Sequence, residues 1–103
     1  MPAHEGVQSS GVLTAGSTTP GGTGKPVLLY SYNLSGGTAA TSITFINGGS
    51  GGTILWQDSV KAQTAAGDVT INVAFPYPVV FSTDMYVTVA GTAGTAVCTY
   101  IPL

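Results

Sequence analysis

Residues 75–101 read FPYPVVFSTDMYVTVAGTAGTAVCTYI, and this stretch decides the fold class. Pro76 and Pro78 bracket Tyr77, and neither proline can donate to a sheet ladder. A short apolar run, Val79-Val80-Phe81, is followed by the turn residues Ser82-Thr83-Asp84. Met85, Val87 and Val89 then alternate with Tyr86, Thr88 and Ala90, the period of a half-buried strand. Gly91-Thr92-Ala93-Gly94 has the length and composition of a hairpin connection. Val97, Thr99 and Ile101 alternate in turn with Ala96, Cys98 and Tyr100. The whole stretch is β, and it carries architecture rather than chemistry.

Working outward, Asp68 to Ala74 alternates without a break: Val69, Ile71 and Val73 on one face, Thr70 and Asn72 on the other. Ala40–Asn47 and Thr53–Ser59 flank Asn47-Gly48-Gly49-Ser50-Gly51-Gly52, which predicts a hairpin. Val60 to Ala66 is too short for a stable helix and reads as a loop or single turn. Pro26 opens a strand over Val27–Leu34 that is apolar on both faces at its start. Such a strand is buried on both sides, or has one face in the core and the other in a subunit contact. Gly16–Lys25 reads as a Gly/Thr/Pro loop, Ser10–Ala15 as a short strand, and residues 1–9 as a flexible polar arm. The pattern predicts one all-β domain over residues 10–103. It is an antiparallel β-sandwich, jelly-roll-like, with about eight strands; an immunoglobulin-like sandwich is the second topology.

A chain of 103 residues supports one core and not two. Charged residues make up 6% of it, against about 25% in an ordinary soluble domain. The formal net charge of −2 leaves no electrostatic footprint for nucleic acid or an anionic membrane. No apolar run approaches the roughly 18 residues of a membrane helix, and MPAHEGVQSSGV lacks the regions of a signal peptide. Synthesis in a cytoplasm without export by that route is therefore expected. Thr, Ser and Gly cover the outside in place of charge. A surface with so little repulsion favours permanent assembly.

A single cysteine, Cys98, excludes an internal disulfide and any multi-cysteine metal site, so no cofactor is expected. Its mid-strand position predicts a buried, inert thiol. The titratable supply is His4, Glu5, Lys25, Asp58, Lys61, Asp68 and Asp84. His4 and Glu5 lie in the terminal arm, while Asp68 and Asp84 precede strands, where a carboxylate caps backbone N–H groups. A Ser-His-Asp triad would have to recruit His4, no G-x-S-x-G elbow is present, and the Gly-rich pieces lack a phosphate-loop ending. The sequence reading is that the chain is not an enzyme. Trp56-Gln57-Asp58, with Tyr30, Tyr32 and Tyr77, has two readings. Trp56 packs in the core or an interface, or it presents a plane beside an amide and a carboxylate to a sugar ring.

The whole-chain pattern runs from SSGVLTAG through VLLYSYNLSG and TSITFINGGSGGTILW to DMYVTVAGTAGTAVCTY. In this it resembles the small structural proteins of tailed bacteriophages, most closely capsid decoration (cement) proteins. The resemblance implies a sandwich or jelly-roll protomer, commonly a homotrimer. It would sit on the outer surface of the head and bridge major capsid protein subunits to stabilise the virion. The candidate subunit or capsid contacts are Val27, Leu29, Tyr30, Tyr32, Trp56, Tyr77 and Tyr86. The alternative is a carbohydrate-binding or host-attachment module of a tail or fibre. Its sign would be Trp56 and a tyrosine exposed together on one concave face.

Overall fold

The computed structural model describes residues 6–63 and 70–103. His4, Glu5, Asp68 and Val69, the rest of residues 1–5, and residues 64–66 of the expected loop lie outside the described residues. Among the described residues the strands are β1 (Gln8–Ser9), β2 (Gly16–Thr18), β3 (Val27–Ser35), β4 (Thr41–Asn47), β5 (Thr53–Val60), β6 (Thr70–Phe81), β7 (Met85–Ala90) and β8 (Thr95–Pro102). They form two four-stranded sheets, ordered β1-β8-β3-β6 and β2-β7-β4-β5, with every pairing antiparallel. This is the eight-stranded, double-sheet order of a jelly roll.

The expected number of strands is reached by two compensating differences. Ser10–Ala15 is not a strand: only Leu13 bridges, to Ala96, and paired strands lie on either side of the segment. The chain has to leave the margin of one sheet for the margin of the other, and Gly11 and Gly16, both at positive φ, make the bends. Pairing also begins at Gln8, inside the segment expected to be a free arm. Conversely, Pro76 and Pro78 do not separate two strands. β6 runs through them because it is a sheet margin and the prolines fall where the ladder is already interrupted.

That interruption sits opposite Tyr30. Against β8, Leu29 pairs with Tyr100 and Ser31 with Thr99, so Tyr30 is one extra residue. Against β6, Leu29 pairs with Val79 and Ser31 with Ala74, so Phe75 to Pro78 loop out across from it. The bulge changes which parity points inward. Val27 and Leu29 face the core before it, Tyr32 and Leu34 after it. Val27, Leu29 and Tyr32 are therefore corrected from candidate contacts to core residues: a strand central in its sheet turns one face wholly into the sandwich. They pack there with Ile43, Phe45, Phe81, Met85, Val87, Val89, Ala96 and Cys98.

The β4–β5 connection is the hairpin expected. The β7–β8 connection is not a hairpin, because Gly91–Gly94 carries the chain from one sheet to the other. A four-residue Gly-containing link suits either path, and packing chooses. A Cβ on Gly37, in the β3–β4 crossing, would lie 2.0 Å from the Thr92 carbonyl oxygen, and one on Gly94 would lie 2.3 Å from Thr41 side-chain atoms. The two crossings stack because neither glycine has a side chain. At the other end Asp84, only 4% exposed, accepts the backbone N–H groups of Gly24 (2.9 Å), Gly48 (3.3 Å) and Gly49 (3.1 Å). Asp84 accepts backbone N–H groups as expected, but the donors come from two other loops, while the Thr83 N–H of its own turn goes to Asn47 Oδ1.

Gly37→Ala should destabilise the protein by about 1–3 kcal/mol through overpacking. Asp84→Ala should cost about 1–3 kcal/mol by orphaning loop N–H groups. Urea unfolding measures both, with an unchanged denaturant slope expected.

Candidate functional site

β5 and β6 are the last strands of their respective sheets, and their inward side chains meet along an open seam. Trp56 pairs with Phe45 and Asp58 with Ile43, both of them core residues, so Trp56 and Asp58 also point into the sandwich. Trp56 sits edge-on to Phe75 of β6, ring centroids 5.1 Å apart. Its Nε1–H donates to the Tyr32 hydroxyl at 2.7 Å, and that hydroxyl donates to Asp58 Oδ2 at 2.6 Å. Tyr32 also packs against Phe45 and Phe75. The buried phenol is thus satisfied as acceptor and donor, and the indole closes the seam over the core.

The structure therefore brings Trp56, Asp58 and Tyr32 together, but as a closure and not as a cleft. Gln57, paired with outward-facing Thr44, lies on the opposite face. Burial first, with the Asp58 hydrogen bond second, pushes the Tyr32 phenol up to about 12. Burial likewise pushes the Cys98 thiol up to about 11, which removes thiolate reactivity at neutral pH. Among the described residues no three His, Cys, Asp or Glu side chains are grouped to hold a metal.

The remaining candidates lie on outer faces. Tyr77, in the bulge opposite Tyr30, is 86% exposed, and Tyr30 is half-buried. Beside the bulge the outer face of the first sheet carries an apolar cross-strand row, Val80–Leu28–Ile101, with Val80 54% exposed. The sequence pointed to a second apolar face on Val27–Leu34 but did not name Leu28, Val80 or Ile101 as its residues. Tyr86 lies on the outer face of the second sheet in a row with Ile46 and Ile54. Elsewhere the outer faces are hydroxyl ladders, with Ser31 bonded to Thr99 at 2.5 Å, Ser17 to Thr88 at 3.0 Å and Ser35 to Thr70 at 3.1 Å. A shallow trough of about 290 Å³ crosses the first sheet over Ser31, Asn33, Asn72 and Thr99. Neither Trp56 nor Tyr77 lines it.

The chain matches no protein-family model, and it has no significant match among curated proteins or solved structures.

Tyr32→Phe leaves the indole N–H and the Asp58 carboxylate without their shared partner. A loss of about 1–3 kcal/mol is expected at neutral pH, read by urea unfolding, with a shift in Trp56 fluorescence. Both raised groups hold their proton more tightly folded than unfolded. Their stabilisation is complete below the unfolded value of 9.0 for Cys98 and 10.0 for Tyr32, and is lost as pH rises through about 11 and about 12. The protein should therefore lose stability progressively above pH 9, and Tyr32→Phe should flatten the upper part of that decline.

Proposed function

We propose that this protein is a virion structural protein of the capsid decoration type, binding major capsid protein on the outer head surface and bridging its subunits. The observation that carries the reading is the outer face of the first sheet. There Tyr77 stands out of the β6 bulge beside the Val80–Leu28–Ile101 row, on a protein with 6% charged residues. Exposed aromatic and aliphatic side chains rimmed by neutral hydroxyls form the kind of surface a permanent protein–protein contact uses. Tyr77 is the anchor, Val80 and Leu28 the apolar floor, and the Ser31–Thr99 ladder the rim. Docking on a rigid sheet costs little ordering entropy, which suits a protein whose task is mechanical.

The alternative, a carbohydrate-binding or host-attachment module, draws less support from the geometry. A sugar platform needs an aromatic plane beside polar groups. Trp56 is instead turned onto Phe75 and Tyr32, away from the trough that holds the amides of Asn33 and Asn72.

Electron cryo-microscopy of intact particles from the source is the deciding experiment. The expected density lies on the outer head surface, bridging capsid subunits, with the β6 bulge toward the capsid. Density confined to tail or fibres would overturn this reading in favour of the carbohydrate alternative. The double variant Tyr77→Ser, Val80→Asp should lower occupancy on particles by about tenfold or more. Its own stability should change by less than about 0.5 kcal/mol, as for exposed positions generally.

A further inference from the structure

The hairpin between β4 and β5 contains Asn47-Gly48, the only Asn-Gly pair in the chain; Asn33 and Asn72 precede Leu34 and Val73. In an unfolded chain such a pair is chemically unstable. The glycine nitrogen, once it loses its proton, bonds to the asparagine Cγ, the Cγ–Nδ2 bond breaks, and the amide nitrogen takes up a proton and leaves as ammonia. Water then opens the succinimide at either carbonyl, giving aspartate or isoaspartate. Glycine makes the attack fast because no side chain shields its nitrogen. The fold needs both residues. Gly48 has a φ of 100° and Gly49 of 79°, values that strain other residues. Asn47 Oδ1 accepts the Thr83 N–H at 2.9 Å, and Asn47 Nδ2 donates to Ser82 Oγ at 3.3 Å.

We propose that the turn between β6 and β7, Ser82–Asp84, holds the two reacting groups of Asn47-Gly48 apart and suppresses this deamidation while the protein is folded. Ser82 and Thr83 fix the carboxamide, and Asp84 Oδ1 accepts the Gly48 N–H at 3.3 Å and the Gly49 N–H at 3.1 Å. Two effects act together. Removing the proton from the Gly48 nitrogen beside a carboxylate sets two negative charges side by side. Closing the five-membered ring also requires that nitrogen to swing over the Asn47 side chain. Asn47 is instead held extended at the end of β4, paired with Thr53 on one side and Met85 on the other. The Thr83 N–H polarises the carboxamide toward attack, but that gains nothing while the nitrogen is out of reach. The product explains why protection matters. Isoaspartate adds a methylene to the main chain where there is no slack: a Cβ on Gly52 would already lie 2.0 Å from the Asn47 carbonyl oxygen. Asp84 thus has a chemical role beside its structural one.

The test follows Asn47 in the purified full chain at mildly alkaline pH, by mass spectrometry of the peptide that carries it. Asn47 of the folded wild type should deamidate about tenfold or more slowly than in the same chain unfolded in guanidinium chloride. Asp84→Asn keeps the size of the side chain and removes its charge. It should speed the folded-state reaction about threefold or more. Gly37→Ala loosens the opposite end of the sandwich and should change the rate by less than about twofold, whereas an effect of general stability would move both variants alike. A folded wild type that reacts as fast as the unfolded chain overturns the proposal. So does Asp84→Asn at the wild-type rate, or Gly37→Ala at the rate of Asp84→Asn. Should Asp84→Asn not fold, the comparison of folded and unfolded wild type decides. The inference does not rest on the capsid reading.

Discussion

One extra residue in β3 sets the rest of the structure. Strand side chains alternate with a period of two, so a shift of one residue sends every later side chain to the other face. Without the bulge at Tyr30, the inward set that begins with Val27 and Leu29 would continue with Ser31 and Asn33, and Tyr32 and Leu34 would face solvent. With it, Leu34 joins the core and Tyr32 reaches across to Phe45. The partner strand answers by looping out Phe75 to Pro78, which puts Phe75 against Trp56 and leaves Tyr77 outside. The core, the seam and the exposed aromatic all follow from that register change.

The two ends of the sandwich are held by different means. At one end Gly37 and Gly94 allow two sheet crossings to stack in van der Waals contact, with Thr41 buried between them and bonded to the Gly37 N–H. At the other, a buried carboxylate gathers the N–H groups of two loops, which a neutral side chain of the same size would do less well. Among the described residues the one deeply buried charge, Asp84, lies where it has several donors.

The outer faces show how a sheet stays wet without charge. Cross-strand serine and threonine pairs satisfy one another while remaining accessible to water, and a flat hydroxylated surface results. Apolar groups break that surface at the Tyr77 bulge and along β5, among other places.

The all-β class, the hairpin through Gly48 and Gly49 and the inert Cys98 were legible in the sequence. Each depends on local chemistry: alternation, glycine at positive φ, an apolar strand position. That Asp84 accepts backbone N–H groups was legible too, but not that they belong to loops 35 to 60 residues away. The sequence also showed that Val27–Leu34 has two apolar faces, but not which face the core takes, since Tyr30 looks like any other strand residue until β6 and β8 are set beside it. The path of Gly91–Gly94 was equally closed to it, because four such residues turn back in one sheet or cross to the other at similar local cost. The choice came from Gly37 and Thr41, which lie about fifty residues away in the chain and in contact in the fold. Trp56 became a seam closure for the same reason. Local sequence sets what a residue can do, and the register of distant strands decides which of those things it does.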